Sequence, residues 1–309
     1  MEGGIDLGPG RREGYRLWDV DGREFLDLHL NGGTFSLGHR NPELSRILAE
    51  GLADWDVGNH HFGSEPKAAL AKALVEAAPG DMQYAVLTCG GSEAVEVAIK
   101  SARWATGRRR IVSIDAGFHG RTGLSGAAGN DEVAQFFLSD RPEEFTKVPF
   151  NDLDAMRAAL RRGGIAAVLL ETIPATCGFP VPDEDYLPGV KALCEEYGAL
   201  YIADEVQTGL GRTGRMWGVE NWGVEPDILI TGKGLSGGLY PGSAAVLSAR
   251  AGAWLEDNGW GHVSTFGGSD LGGLVALRVL EICSEPAMLA NVNEQAEYLR
   301  AGLQALARR

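Results

Sequence analysis

Apolar runs and amphipathic segments alternate along most of the chain after residue 84. The runs are short and rich in Val, Ile, Leu and Ala, which is typical of strands that are buried on both faces. Six runs of this kind lie at residues 84–89, 109–115, 165–172, 199–205, 226–232 and 243–249. Because helical segments separate several of them, the pattern predicts an α/β fold with a mostly parallel central sheet and helices on both faces.

Two of the intervening segments have the spacing of helices. Segment 91–106 carries small residues at three- and four-residue spacing, which predicts a face that lies close to the sheet: Ala94, Ala98, Ala102 and Ala105. Segment 183–198 is amphipathic, with Asp183 as a candidate N-cap and Gly198 just past its end. Ahead of the sheet, residues 14–33 predict two short strands around the turn "VDGR".

Composition and charge narrow the class of protein. The 309 residues carry a net charge of −14, which argues against a nucleic-acid partner because such partners require basic patches. The four cysteines are scattered without a CxxC pair, so we expect reduced thiols and no zinc site or disulfide framework. No apolar stretch is long enough to span a bilayer, and no signal-peptide core begins the chain. A cytoplasmic protein is expected.

Ligands of α/β sheets gather beyond the carboxyl ends of the strands, so the residues after each strand are the ones to inspect. After the strand at 84–89 come Gly90, Gly91 and Ser92 at the start of a helix. Backbone N–H groups and a hydroxyl at a helix N-terminus can hold a phosphate. Equally, Ser92 could be an ordinary N-cap.

The next strand ends contribute aromatic and acidic residues. Phe118 and His119 follow the strand at 109–115, where an aromatic ring could stack on a planar ligand; a core Phe beside a surface His is the alternative. Asp204 and Glu205 end an apolar strand, where a buried carboxylate is costly without a positive partner. A helix cap or a structural ion pair would also account for them.

Lys233 follows the strand at 226–232 and precedes a glycine-rich loop. By itself it could be a solvated lysine. Together with a phosphate cradle, a planar stacking residue and a buried carboxylate, it completes the set of groups that hold a phosphorylated pyridine aldehyde. The lysine would form an imine, and the carboxylate would keep the ring nitrogen protonated.

The motifs around these residues resemble those of a known family. They are, in chain order, "LWDVDGREFLDL", "SLGHRNPEL", "CGGSEAVEVAIKSAR", "FHGRT", "ADEVQTGLGRTG", "PDILITGKGLSGGLYPGSA" and "STFGGSDLGGLVALRVLE". The sequence resembles the class III, fold-type-I pyridoxal-phosphate aminotransferases, the group of acetylornithine, ornithine and other ω-amino-acid transaminases, over roughly residues 14–281.

The resemblance implies a role for each matching residue. Lys233 would be the Schiff-base lysine, and Asp204 would pair with the pyridinium. The remaining cofactor-binding residues would be Gly91 and Ser92 at the phosphate, Phe118 on the ring with His119 beside it, Glu171, and Gln207 near the phenolic oxygen. Thr265 would reach the phosphate of a neighbouring subunit, which implies a homodimer with shared active sites. Arg212 matches a family position and is expected to be structural.

The sequence also departs from the family pattern. Many ornithine-type members carry a second glutamate after the one matched by Glu171, but Thr176 stands in its place here. The arginine that grips the substrate α-carboxylate in the C-terminal small domain has no counterpart before Arg309. The resemblance therefore implies an N-terminal segment of the small domain at 1–60, a large cofactor-binding domain at 61–285 and the start of a truncated small domain at 286–309.

The implied activity is pyridoxal-phosphate-dependent transfer of an amino group from an amino acid or ω-amino compound to a keto acid. Two other activities use the same lysine and carboxylate: an aminomutase reaction, and a transfer coupled to decarboxylation. A truncated chain that binds the cofactor without turnover is a further alternative. His60 and His61 lie where the family places substrate-facing residues, and either substrate contact or a plain loop would account for them. A metal site is not expected.

Overall fold

The computed structural model describes residues 9–58 and 61–308, and it contains two β-sheets. A three-stranded antiparallel sheet has the order β1-β2-β3, and a seven-stranded sheet has the order β4-β10-β9-β8-β7-β5-β6. The strands are β1 (Pro9–Glu13), β2 (Arg16–Asp19), β3 (Glu24–Leu26), β4 (Met82–Thr88), β5 (Arg110–Ile114), β6 (Phe145–Val148), β7 (Ile165–Glu171), β8 (Leu200–Asp204), β9 (Ile228–Thr231) and β10 (Ser243–Ser248).

All six strands predicted for the main sheet are present, with small differences in their bounds. The pairs β5–β6, β5–β7, β7–β8 and β8–β9 are parallel, whereas β10 runs antiparallel to both of its neighbours. The prediction of a mostly parallel sheet is therefore confirmed. Strand β6 was not predicted, because its sequence Phe-Thr-Lys-Val has too few apolar residues to stand out.

Helices cover both faces of the main sheet. The α-helices are α1 (Leu30–Gly33), α2 (Pro42–Gly51), α3 (Glu65–Ala77), α4 (Gly91–Thr106), α5 (Gly123–Ala128), α6 (Asp131–Phe136), α7 (Leu153–Arg161), α8 (Tyr186–Tyr197), α9 (Ala249–Gly252), α10 (Trp254–Asp257), α11 (Asp270–Ser284) and α12 (Pro286–Ala307). Short 3₁₀ helices lie at Gly218–Trp222, Lys233–Ser236 and Gly259–Gly261.

The two sides of the sheet bury alternate residues, as the period of two in a strand requires. In β7, Val168 and Leu170 pack into one apolar cluster, while Ala167 and Leu169 pack into the other. All seven residues of this strand are buried. A sheet covered on both faces explains why its strands are continuously apolar and easy to find in the sequence.

Helix α4 packs closely on the sheet through the small residues that the sequence predicted. Ala94, Ala98 and Ala102 are fully buried, and Ala105 packs against the same cluster. Helix α8 begins three residues after the predicted cap, so the prediction that Asp183 caps it is wrong. Asp185 holds the N-cap position and makes no side-chain cap bond. Gly198 ends the helix in a left-handed conformation, as predicted.

The predicted N-terminal hairpin is present as β2 and β3. Its turn is held by Asp19, whose carboxylate accepts the backbone N–H groups of Asp21 and Arg23 and pairs with the Arg23 side chain at 2.6 Å.

The last helix, α12, lies at the surface along its length: none of its 22 residues is buried. In residues 9–58 and 61–308 no helix combines the length and apolar character needed to cross a membrane. The division into three domains remains a prediction.

Candidate active site

A cleft of about 160 Å³ lies beyond the carboxyl ends of β7, β8 and β9, next to the first turn of α4. It brings together all but one of the predicted site residues, including the predicted lysine. Its lining residues are Gly91, Ser92, Phe118, His119, Gly120, Glu171, Asp204, Val206, Gln207 and Lys233. The predicted residues thus lie together at the edge of the sheet where ligands of α/β sheets gather.

The first turn of α4 forms one wall of the cleft. Gly90 is the N-cap, with extended backbone, and the helix begins at Gly91. Ser92 therefore lies inside the helix, so the alternative that Ser92 is its N-cap is wrong. The Ser92 hydroxyl accepts the backbone N–H of Arg121 at 3.2 Å. The exposed N–H groups of this turn and the positive end of the helix dipole suit an anion.

Gly120 is a site residue that sequence reasoning missed. Its φ is +124°, a conformation that L side chains rarely adopt. A Cβ at this position would lie 2.7 Å from Ser92 Cβ and 2.8 Å from Ser125 Oγ, and it would overlap the Ser92 hydroxyl. A side chain would therefore fill the space beside Ser92. The glycine in "FHGRT" is the only signal the sequence offers.

Asp204 and His119 form a buried pair on the floor of the cleft. Asp204 Oδ2 lies 2.8 Å from His119 Nδ1, and Asp204 Oδ1 accepts the backbone N–H of Val206 at 3.1 Å. Both side chains are almost fully buried, so the alternative that His119 is a surface residue is wrong. Beside a carboxylate, Nδ1 carries the proton and donates it. Val206, the residue after this Asp-Glu pair, was not singled out from the sequence.

Glu171 lies beside Asp204 because β7 and β8 pair in parallel at these two residues. Glu171 Oε2 accepts the backbone N–H of Phe118 at 3.0 Å, and Oε1 accepts that of Ala175 at 3.4 Å. Burial raises the pKa of Glu171; His119 opposes the rise and Asp204 adds to it. In this geometry Glu171 fixes the backbone that carries Phe118.

Glu205 points away from the cleft, which separates it from Asp204. Its carboxylate accepts bonds from Thr208 Oγ1 at 2.8 Å, from the N–H of Gly218 at 2.7 Å and from that of Val219 at 3.0 Å, as well as from the Thr172 hydroxyl. Burial nevertheless raises the pKa of Glu205, against these hydrogen bonds. The alternative interpretation, a structural role, therefore holds for Glu205. Its carboxylate connects the loop after β8 to the start of the 3₁₀ helix at Gly218–Trp222.

Lys233 enters the cleft from the end of β9. Its φ is +43°, a strained value for a residue with a side chain, and such strain concentrates at functional sites. The side chain runs past Gly32, where a Cβ would lie 3.3 Å from Lys233 Cε and 3.7 Å from Gln207 Oε1. Within residues 9–58 and 61–308, Lys233 Nζ has no hydrogen-bond or ion-pair partner. The cleft thus holds an unpaired amine opposite a buried carboxylate.

The structure does not bring Thr265 into this cleft. It is exposed on the loop between α10 and α11, close to Gly58.

The His61 ring lies 5.5 Å from that of Trp260, away from the residues around Lys233, and His60 lies outside the described residues. Arg212 lines a neighbouring cavity of about 470 Å³ that shares Gln207 with the cleft. In the described part of the chain no group of three His, Cys, Asp or Glu could hold a metal ion.

Comparison with known proteins identifies the family. A family model for class-III aminotransferases matches residues 5–309, so the chain belongs to that family. The chain is 49% identical over 296 residues to an uncharacterized aminotransferase from Archaeoglobus fulgidus, covering 96% of this chain and 69% of that protein. It is 36% identical over 300 residues to the putrescine aminotransferase of Pectobacterium atrosepticum, covering 94% of this chain and 64% of that protein.

Solved structures agree on the fold. The taurine:2-oxoglutarate aminotransferase from Bifidobacterium kashiwanohense, in complex with pyridoxal phosphate (PLP) and glutamate, has a TM-score of 0.89 at 30% identity, covering 100% of this chain and 74% of that one. An ornithine aminotransferase from Toxoplasma gondii with partial occupancy of PLP has a TM-score of 0.84 at 29% identity, covering 91% of this chain and 68% of that one. The predicted fold-type-I architecture and PLP as the family's cofactor are confirmed.

The residues of the cleft fit PLP. A helix N-terminus backed by two glycines leaves room for a phosphate, and a Cβ at Gly120 would close that space. A buried carboxylate is held by His119 and faces a site with an unpaired amine. One aromatic and one branched aliphatic side chain, Phe118 and Val206, line the same space. Together these features provide an anion site for the phosphate, a carboxylate for a protonated ring nitrogen, an amine for the aldehyde and apolar walls for the ring.

Proposed function

We propose that this chain provides the PLP site of a transaminase in which Lys233 is the covalent attachment point and the proton-transfer group. One observation carries the proposal: the unpaired Lys233 amine and the buried Asp204–His119 pair line the same cleft. PLP supplies an aldehyde that condenses with amines and a ring that takes up negative charge.

Asp204 would hold a proton on the cofactor's ring nitrogen. An ionised carboxylate at the end of β8 favours the protonated ring, and the hydrogen bond from His119 keeps that carboxylate in place. Gly91 and Ser92 would bind the phosphate, and Gln207 would lie near the phenolic oxygen. Phe118 would stack on the ring while Glu171 holds its backbone.

Lys233 would move the proton that transamination requires. When Nζ is not attached to the cofactor, it would be a free base within the same cleft. There it would accept the proton that the substrate carbon loses and would later give it up again. Gly32 leaves open the path along which the side chain swings, since a Cβ there would lie 3.3 Å from Lys233 Cε.

We propose a homodimer with shared active sites, in which Thr265 reaches the phosphate bound by the partner subunit. The support is that Thr265 is exposed outside its own cleft and is flanked by large apolar side chains that are also exposed: Trp260, Val263 and Phe266. Exposed apolar groups around an exposed polar residue are typical of interaction surfaces. A cytoplasmic location is part of the same proposal and rests on the free cysteines.

The proposed substrates are an amino donor of the amino-acid or ω-amino class and a keto acid acceptor. The names of the compared proteins include putrescine, ornithine and taurine, each of which has an amine remote from, or without, an α-carboxylate. The cavity next to the cleft supports such donors. It is mainly apolar along Leu28, Ile173, Phe179 and Val181, and it joins the cleft at Gln207.

The test is a single half-reaction on purified protein. PLP is added and its visible absorbance measured with and without one amine donor, for the wild type and for Lys233→Ala. We expect the wild type to acquire the absorbance of lysine-bound PLP and to lose it with the donor, releasing the keto product. Lys233→Ala should do neither. Wild-type turnover by Lys233→Ala would overturn the assignment of Lys233, and PLP binding without product would contradict transamination by this chain.

A further inference from the structure

The loop 258–268, which carries Thr265, is attached to helix α4 through a chain of polar side chains. Lys100 Nζ donates to the carbonyl of Gly261 at 3.4 Å and lies 3.0 Å from His262 Nδ1. On the other side of the same ring, His262 Nε2 lies 3.2 Å from Glu93 Oε1. Lys100 and Glu93 are both on α4, so the imidazole is held between two residues of one helix.

The same series of polar contacts continues from Glu93 to the phosphate turn, residues 89–92, which is proposed to bind the phosphate. Glu93 Oε2 accepts the backbone N–H of Cys89 at 2.8 Å. Cys89 directly precedes Gly90 and Gly91, and Glu93 lies in the first turn of α4, where a negative side chain is favoured by the helix dipole. One unbroken set of contacts therefore joins Gly261 and His262 on the loop to the backbone of the phosphate turn.

The donor and acceptor directions define the protonation state of His262. A lysine ammonium has no acceptor, so His262 Nδ1 must accept from Lys100. The ring proton is then on Nε2 and is donated to Glu93. Burial lowers the pKa of His262, Lys100 lowers it further, and Glu93 opposes both. The neutral ring is thus the form that satisfies both neighbours.

Other charged groups near the ring are already paired. Lys67 of α3 lines the same cavity as His262, and it lies 3.7 Å from Asp270 of α11. Glu96, one turn from Glu93, accepts the hydroxyl of Thr122 at 2.8 Å. Burial lowers the pKa of Lys100, and Glu96 and Glu93 oppose that shift. The charges that face His262 most directly are therefore those of Lys100 and Glu93.

We propose that Glu93, His262 and Lys100 are positioning residues that hold the loop 258–268, and with it Thr265, in register with the phosphate turn. None of the three touches the cofactor cleft. The effect on PLP rests on the proposed function, because it requires Thr265 to reach a phosphate across a dimer. The effect on the position of the loop is independent of the proposed function, because it follows from contacts within one chain. Below the pKa of His262 the ring would carry a second proton, lose its acceptor for Lys100 and release the loop.

The experiment compares His262→Leu with His262→Gln. A glutamine has an amide oxygen that can accept from Lys100 and an NH₂ group that can donate to Glu93, but it does not titrate. A leucine can do neither. Two quantities are measured: the rate of chymotrypsin cleavage at the exposed loop residues Trp260 and Phe266 in cofactor-free protein, and the dissociation constant of PLP.

At pH 8 we expect His262→Leu to be cleaved about tenfold faster than the wild type and to bind PLP about tenfold more weakly, the size expected for losing a hydrogen bond to a charged group. His262→Gln should restore both values to within a few-fold. The wild-type cleavage rate divided by that of His262→Gln should be higher at pH 5.5 than at pH 8, and taking this ratio at each pH removes the pH dependence of chymotrypsin itself. Lys100→Met should behave like His262→Leu, whereas the matched control Lys72→Met, in an exposed ion pair with Glu76 on α3, should not.

Equal cleavage rates for the wild type, His262→Leu and His262→Gln at both pH values would overturn the proposal. So would a His262→Gln variant that fails to restore the loop. If the wild type binds no PLP, the proposed function fails instead, and the cleavage rates still decide whether the three residues hold the loop. If His262→Leu does not fold, the pH dependence of wild type against His262→Gln decides.

Discussion

His119 Nδ1 and Asp204 Oδ2 lie 2.8 Å apart and join two separate strand ends of the main sheet. His119 comes from the segment after β5 and Asp204 from the end of β8, two strands with β7 between them in the sheet. The pair is buried, and the imidazole and the N–H of Val206 replace the water that would otherwise bind the carboxylate. Its remaining lone pairs are available to a cationic ligand.

Asp204→Asn should separate cofactor binding from catalysis. The amide keeps the size of the side chain but removes the negative charge that would stabilise a protonated ring nitrogen. We expect PLP to bind Lys233 with a similar visible absorbance, while the rate of the amine half-reaction falls about 10²- to 10³-fold, as for other preorganised charges in active sites. Stopped-flow absorbance measures the rate. The exposed Asp183→Asn should react at the wild-type rate, and a wild-type rate in Asp204→Asn would exclude this role.

Gly120→Ala should weaken PLP binding through the loss of space beside Ser92. The new Cβ would lie 2.7 Å from Ser92 Cβ and 2.8 Å from Ser125 Oγ, and Ser92 would have to move away from the phosphate. The matched control is Gly107→Ala, because Gly107 also has positive φ, +64°, but has nothing within 4 Å of a Cβ. We expect both variants to lose about 1 kcal/mol of unfolding free energy from backbone strain. Only Gly120→Ala should raise the PLP dissociation constant, by about tenfold or more; equal dissociation constants in the two variants would contradict the role of Gly120.

Much of this site could be predicted from the sequence because its chemistry lies at strand ends. Lys233, Asp204 and Phe118 each follow a continuously apolar strand, and such strands are easy to locate when both faces of the sheet are buried. What could not be predicted depends on side-chain direction and backbone conformation. Neighbouring residues in a strand point to opposite faces, and this separates Asp204 from Glu205, but a sequence does not say which of the two faces the cleft. The roles of Gly32 and Gly120 depend on a close approach by Lys233 and by Ser92, residues that are distant in the chain.

The buried charge of Glu205 should make stability depend on pH. Burial raises its pKa in the folded state above the ordinary value of 4.5, so between these two pKa values the folded protein binds more protons than the unfolded chain. The Glu205 contribution to the unfolding free energy is therefore largest at low pH and is lost as the pH rises through the raised pKa. The non-titrating variant Glu205→Gln should lack this contribution to the change of the unfolding free energy with pH.

Urea unfolding at pH 5 and pH 8 measures this contribution. At pH 5 we expect Glu205→Gln to be less stable than the wild type by about 1–3 kcal/mol, because an amide has one acceptor oxygen and the N–H of either Gly218 or Val219 would therefore lose its acceptor. The difference should shrink at pH 8, where the wild type carries the cost of a buried charge. The exposed Glu76→Gln should differ little from the wild type at either pH. A difference that grows with pH would contradict the raised pKa.

A mixture of two defective variants should test the shared active site. In the proposed dimer each cleft combines Lys233 of one subunit with Thr265 of the partner subunit. Lys233→Ala dimers cannot attach PLP covalently, and Thr265→Ala dimers should bind it weakly. In a mixed dimer, however, one cleft joins an intact Lys233 to an intact threonine from the other chain, while its second cleft carries both defects.

The two variants are therefore mixed in equal amounts, exchanged under mild denaturant and restored. Random pairing makes half of the dimers mixed, so about a quarter of all clefts should regain wild-type affinity for PLP. Titration of the lysine-bound absorbance counts them, and an unexchanged mixture provides the control, with no high-affinity clefts. If Thr265 served its own cleft, every mixed dimer would contain one Lys233→Ala cleft and one Thr265→Ala cleft, and exchange would restore none. Recovery of high-affinity clefts thus distinguishes a threonine supplied by the partner from one supplied within the chain.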